Sequence, residues 1–233
     1  MVEITPLASS SLGNCYHITD GKTPILLECG IQFKEIRRKL NFRTSEIAAC
    51  LVSHEHQDHC KAVKDIVRAG IDVQASKGTI EGFNIQSHRI KRIEARRSFS
   101  VGTWRILPFE TQHNAAEPLG FLLASKTGAK VLFATDTYYI RYKFTGLTHI
   151  MIEANYDKDI LEENVRNGKV PIAVKRQLLR AHFSLDNVKE FFRANDLSKV
   201  QEIWLIHLSN KNADADRFKT EIQAITGKPV YIA

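Results

Sequence analysis

A layered α/β fold is predicted for this chain. Short β-rich segments bounded by Gly, Ser, Asp or Pro alternate with helical patterns, helices follow several of the strands, and no repeat, low-complexity run or flexible linker interrupts the order. At 233 residues with 43% apolar side chains, one compact domain spanning 1–233 is the economical reading.

Strands are expected at Val2 to Leu7, Cys15 to Thr19, Ile25 to Glu28 and Ile47 to Ser53. Gln32 to Leu40 reads as a helix with Phe33, Ile36 and Leu40 on one face. Asp58 to Ala69 reads as a second helix, followed by a strand at Val73 to Ala75 and a small helix at Ser76 to Phe83. Further strands are expected at Ile90 to Ile93, Trp104 to Leu107, Gly120 to Ala124, Lys130 to Ala134 and His149 to Glu153. Helices at Ile160 to Asn167 and Asp186 to Ala194, a strand at Val200 to His207, a helix at Asp214 to Thr226 and a strand at Val230 to Ile232 complete the order.

The formal charge of +7, from 33 Lys and Arg against 26 Asp and Glu, favours phosphates and other anions as partners. No leader pattern and no run of 18 apolar residues is present, so an enzyme working in the cytoplasm, without a membrane partner, is expected. Cys15, Cys29, Cys50 and Cys60 form no C-x-x-C pair and are expected to be reduced thiols.

The sharpest chemical signal is Ser53-His54-Glu55-His56-Gln57-Asp58-His59, which begins where an apolar strand ends. Imidazole and carboxylate donors packed this densely suit borderline divalent metals, and the spacing is not that of an H-E-x-x-H helix. His113 alone would pass for a loop histidine. Asp136 and His207 each end an apolar strand, where a buried polar group needs a partner or a metal. Together with the His-rich loop they converge on one sheet edge.

These residues resemble the H-x-H-x-D-H signature of the metallo-β-lactamase superfamily. Leu26-Leu27-Glu28-Cys29-Gly30, His113, Phe133-Ala134-Thr135-Asp136 and Ile206-His207-Leu208-Ser209 follow in that family's order. The opening Leu7-Ala8-Ser9-Ser10-Ser11-Leu12-Gly13-Asn14-Cys15 and Glu117-Pro118-Leu119-Gly120-Phe121 further resemble a compact bacterial branch described as nucleases, some of them DNA exonucleases. The resemblance implies a four-layer αββα sandwich holding two divalent ions, zinc or manganese. It assigns His54, His56 and His113 to one metal and Asp58, His59 and His207 to the other, with Asp136 bridging. Glu28 stands where that family usually has Asp, and Asn114 where an Asp is common; both are expected to support ligands from behind.

The same resemblance implies a hydrolase using a metal-bridging hydroxide, with Asp58 aiming it and His182, in Arg180-Ala181-His182-Phe183-Ser184, steadying the phosphate or protonating the leaving group. The other reading of His182 is a cap for the helix near Asp186. Basic groups at Lys34, Arg37, Arg38 and Lys39, at Arg89, Lys91, Arg92, Arg96 and Arg97, and at Lys175, Arg176 and Arg180 each read alone as solvated surface. Together they supply the charge of a nucleic-acid track. Arg180, Lys175, Arg176 and Ser209 are the expected phosphate contacts. Tyr138, Tyr139 and Tyr142 either stack on bases or pack under a loop. The stretch between Asp136 and His207 is too short for the extra domain of messenger-RNA-processing relatives, which favours a phosphodiesterase acting on DNA, from single strands or a free 5′ end. A hydrolase of cyclic or modified nucleotides, thioesters or lactones, and a catalytically silent nucleic-acid-binding protein, are the alternatives. The sequence leaves oligomeric state open.

Overall fold

A computed structural model describes all residues, Met1–Ala233. The chain divides into two compact units, residues 1–110 with 115–129, and residues 111–114 with 130–233.

The first unit contains β1 (Glu3–Ser10), β2 (Gly13–Thr19), β3 (Ile25–Leu27), α1 (Phe33–Lys39), β4 (Ala49–Leu51), α2 (Gln57–Cys60), α3 (Val63–Arg68), β5 (Asp72–Ala75), α4 (Lys77–Phe83), β6 (Ile90–Arg92), β7 (Phe99–Val101), β8 (Trp104–Glu110) and β9 (Leu119–Ser125). Its six-stranded sheet runs β1-β2-β3-β4-β5-β6. The first three strands are antiparallel, whereas β3 to β6 are parallel. Residues of β3 and β4 are buried throughout, as continuous apolar runs in parallel strands should be. Pro6, which lacks an N–H, lies on the edge strand β1, and the register shifts between Pro6 and Ala8 to absorb Leu7. Leu26, Cys50, Val52 and Val73 pack with Ile36 of α1 and with Val63 and Ile66 of α3 in one core. Strands β7, β8 and β9 pair antiparallel.

The second unit contains β10 (Lys130–Ala134), β11 (His149–Glu153), α5 (Lys158–Arg166), α6 (Ile172–Ala181), α7 (Leu185–Ala194), β12 (Glu202–Ile206), α8 (Ala215–Thr226) and β13 (Val230–Ile232). Its strands lie in the order β13-β12-β11-β10, all parallel. Each return across parallel strands needs a crossover, supplied by the coil of residues 135–148 between β10 and β11, by α5 to α7 between β11 and β12 and by α8 between β12 and β13. Asp157, Ser184 and Asp214 accept backbone N–H bonds at the starts of α5, α7 and α8, and Gly227 closes α8 in the left-handed conformation.

Two sheets, of six and seven strands, flanked by helices thus give the expected αββα sandwich. No helix is long and apolar enough to cross a membrane. All four cysteines are free and buried.

Three local expectations differ from the structure. The helix expected over Asp58 to Ala69 is two helices, because the Ala62 N–H turns to the Cys29 carbonyl at 2.9 Å. Strand β7 and helix α6 were not signalled: β7 has only three residues, and the α6 segment reads in sequence as a basic cluster after Pro171. The strand expected from Val2 to Leu7 continues to Ser10, since the bulge preserves its pairing.

Asp20, buried at the end of β2, accepts from the backbone of Lys22 and Thr23 and from the Ser125 hydroxyl at 2.7 Å. Burial alone would raise its carboxyl pKa, but these bonds together with one from Thr103 hold it down to about 2. Its stabilising contribution is therefore complete above the unfolded value near ~4 and is lost as pH falls through about 2. Asp20→Ala should cost about 2 kcal/mol at neutral pH. In urea unfolding, the gap between variant and parent should stay constant from pH 7 to pH 5 and shrink below pH 4.

Candidate metal centre

In the first unit the His-rich loop leaves the carboxyl end of β4 and runs into α2, where the chain turns and side chains are released from strand alternation. His54 is buried, with Nδ1 2.8 Å from the Ser53 hydroxyl and Nε2 3.0 Å from Nδ1 of His56. Two ring nitrogens facing each other at that distance suit a shared proton or two lone pairs turned to one cation. His59 is fully buried, with Nδ1 3.6 Å from Glu28 Oε2 and Nε2 3.3 Å from Asp58 Oδ2. Asn14 Nδ2 lies 3.3 Å from the same Nε2 and takes a bond from Tyr16 on its own oxygen.

Glu28 supports this loop from the end of β3. It is fully buried in the left-handed region (φ 64°) and accepts the Ser53 N–H at 3.2 Å. Burial pushes its carboxyl pKa up, against the pull of His59 and Ser53. The backbone is tied as closely: Cys29 N–H donates to the His59 carbonyl at 2.8 Å, and Gly30 N–H to Asn14. A Cβ on Gly30 would lie 1.6 Å from the Asp58 carbonyl oxygen, so only glycine permits this approach. Glu55 accepts the Ala116 N–H at 2.8 Å and belongs to none of the clusters of metal-capable groups.

In the second unit Asp136 follows β10 and His207 follows β12, both buried and both in the left-handed region (φ 46° and 55°). Such conformations cost non-glycine residues about 1 kcal/mol or more and persist where surrounding bonds determine them. Asp136 Oδ1 accepts from the Thr135 hydroxyl at 3.0 Å, and Oδ2 lies 3.4 Å from His113 Nε2. His113 Nδ1 donates to the Ala181 carbonyl at 2.9 Å, which fixes the tautomer and leaves Nε2 with its lone pair. Burial lowers the pKa of His113 despite nearby Asp136, so the ring is held in its neutral, metal-binding form.

Glu153, fully buried as the last residue of β11, organises the rest. Its Oε1 is 2.6 Å from His182 Nδ1 and 3.2 Å from His207 Nδ1, while Oε2 accepts the N–H groups of Thr137 and Phe183. Burial pushes the Glu153 carboxyl up, but neighbouring His182 and the bonds from His182 and His207 outweigh it and bring the pKa below its ordinary value. For His182, burial opposes the charged ring, yet Glu153 and Asp136 outweigh it and raise the pKa. The rings of His182 and His207 are stacked at 5.5 Å. Asn155 Nδ2 holds the His207 carbonyl at 2.9 Å.

In the second unit Asp136, Glu153, His182 and His207 bring their ligand atoms close enough together to hold an ion, and in the first unit His54, His56, Asp58 and His59 offer theirs from one loop. The donors are imidazoles and carboxylates without thiolate, a set fitted to zinc or manganese.

Glu153 was missed from the sequence, although it ends the apolar run His149 to Glu153 just as Asp136 and His207 follow theirs. Ser184, not His182, caps α7. Asn114 is exposed. Arg176 and Arg180 are exposed on α6, the helix that ends at His182, and Lys175 pairs with Glu162. Ser209 is half-buried and accepts the Asn212 N–H at 3.2 Å. Tyr138 and Tyr139 are exposed in the coil after Asp136. In the second basic group Arg89, Arg92, Arg96 and Arg97 each meet a carboxylate, which reduces their offer to an outside anion.

Residues 23–207 match the family model described as beta-lactamase superfamily domain. Exodeoxyribonuclease WalJ of Streptococcus pneumoniae (strain D39) is 27% identical over 223 residues, covering 88% of this chain and 81% of WalJ. Exodeoxyribonuclease YycJ of Bacillus anthracis is 26% identical over 224 residues, covering 88% and 82%. Among solved structures, the metallo-beta-lactamase fold protein YhfI from Bacillus subtilis has a TM-score of 0.76 at 15% identity, covering 100% of this chain and 96% of YhfI, a likeness of fold. The clusters are those of a two-metal hydrolase.

Gly30→Ala should force the Asp58 carbonyl away and displace Asp58 and His59 with it. The purified variant is expected to retain less than half the parent's divalent metal by elemental analysis and to melt earlier. Full metal content at an unchanged melting temperature would show that the approach is dispensable.

Proposed function

The chain belongs to the beta-lactamase superfamily, and on that premise we propose that it is a metal-dependent phosphodiesterase that degrades DNA as an exonuclease in the cytoplasm, residues 1–233 acting as a single hydrolase domain. His54, His56 and His113 would hold one ion, Asp58, His59 and His207 a second, and Asp136 both. Two such ions, zinc or manganese, polarise a phosphoryl oxygen and lower the pKa of a bound water.

The observation that carries the reading is the 2.6 Å contact between His182 and the buried Glu153. A deoxyribose oxygen leaves poorly without a proton, whereas a thiolate needs none. A histidine whose pKa is raised by the glutamate against it is a proton donor suited to the first. Glu153 fixes Nδ1, so Nε2 is the atom that delivers the proton. Asp58 aims the attacking water. Arg176 and Arg180, exposed on the helix leading into His182, with Lys175 on the same helix and Ser209 two residues past His207, meet the phosphates of the strand. The net charge of +7 and the likeness to two proteins called exodeoxyribonucleases support DNA as substrate.

Metal-stripped protein restored with Zn²⁺ or Mn²⁺ should release mononucleotides from end-labelled single- or double-stranded DNA, and matched RNA should be cut more slowly. His182→Ala and Glu153→Gln should each lower kcat by about 10²- to 10⁴-fold while retaining two metals per chain. Failure to cut any polymer with either metal would sink the nuclease reading.

A further inference from the structure

Beside the metal-ligand segment of the second unit lies a cavity of about 500 Å³. That volume is within the range of about 300 to 1000 Å³ found for small-ligand sites. Its lining includes the buried Ile140, Phe183 and Phe191 and the exposed Tyr138 and Tyr139, which are 40% and 56% accessible. Large rings left in water at the mouth of an apolar hollow are surfaces for another flat ring.

The cavity also carries polar groups suited to a heterocycle. Asn187 donates its Nδ2 to the Tyr138 carbonyl at 3.0 Å, which leaves its Oδ1 as an acceptor. Glu190, on the same helix, accepts from Arg193 through Oε1 at 2.5 Å and keeps its other oxygen for an N–H of the ring. Arg141 and Lys143 contribute positive charge on the coil side, with Arg141 braced on the Gln112 side-chain oxygen at 2.8 Å.

Two chain connections tie this hollow to the chemistry. Tyr138 is two residues beyond Asp136, and Phe183 adjoins His182. Between Asp136 and Tyr138, Thr137 donates its N–H to Glu153 at 3.0 Å and its hydroxyl to the Tyr139 carbonyl at 2.7 Å. The carboxylate that orients His182 therefore also fixes the coil that carries both tyrosines.

We propose that this cavity is a nucleobase subsite. It takes the base of the nucleotide next to the phosphodiester being cut, with Tyr138 or Tyr139 stacked on the base, Asn187 and Glu190 at its polar edge, and Arg141 and Lys143 toward a flanking phosphate. Stacking tolerates every base, so the subsite would grip a nucleotide without selecting sequence. This inference rests on the nuclease reading given above.

The test is calorimetry on the full chain with metal restored, comparing the four deoxynucleoside 5′-monophosphates with 2-deoxyribose 5-phosphate, which has the phosphate and sugar but no base. The nucleotides should bind on the order of tenfold more tightly. Tyr138→Ala/Tyr139→Ala, at two exposed positions, should erase that margin while leaving the thermal melt intact. Cleavage of DNA with an abasic residue at the end being digested should slow by a similar factor. Equal affinity for nucleotide and sugar phosphate, or a margin that survives in a folded double variant, would overturn the subsite. A base-dependent margin in a protein that cuts no polymer would instead overturn the nuclease reading and leave a pocket for free nucleotides.

Discussion

Glu28, Asp136 and Glu153 are almost wholly removed from water, and an isolated buried carboxylate costs several kcal/mol. The chain meets that demand by burying each beside its partners. Ser53 N–H and His59 face Glu28, His113 and the Thr135 hydroxyl face Asp136, and His182, His207 and two backbone N–H groups face Glu153. Those partners come from segments far apart in sequence, and the parallel strand ends bring them to the acids. Remove the acids and the imidazoles lose the contacts that set their tautomers; remove the imidazoles and buried negative charge is left uncompensated. Pairing is thus the condition under which the polar centre can exist inside an apolar fold.

The backbone bears part of this demand. Glu28, Asp136 and His207 all sit in left-handed conformations just past a strand. Each lets the chain turn abruptly while directing a functional side chain from the strand's end. In the first unit, Gly30 complements this turn by letting the chain pass against Asp58. The cysteines have the opposite character: all four are buried, and burial pushes the Cys60 thiol up to about 12. Protonated thiols are poor metal ligands, so the sulfur in the first unit's core does not compete with the imidazoles for a borderline metal.

Much of this was legible in the sequence, for reasons that differ by residue. His54 to His59 declared itself because so many donors in one short loop have no packing explanation. The apolar strands β10, β11 and β12 were legible from their runs, and Asp136 and His207 from closing them. Glu153 carried the same signal but was read as the tail of a strand, because its partners lie about thirty and fifty residues away and no local pattern announces them. The break between α2 and α3 was hidden likewise, being set by the Cys29 carbonyl. Helix α6 escaped because its exposed face mixes Ile172 and Leu179 with Arg176 and Arg180, blurring the apolar periodicity that marks a helix.

Helices α5 and α6 are packed by a satellite cluster of Tyr156, Leu161 and Val170, joined by Val165 and Leu178. So small a cluster gives this hairpin a lower free energy of local opening than the strands beside it. Because α6 runs directly into His182, whose Nδ1 lies 2.6 Å from Glu153, the packing of this hairpin and the seating of the histidine on its glutamate form one arrangement, so a change in the small cluster reaches the polar centre through a single peptide bond.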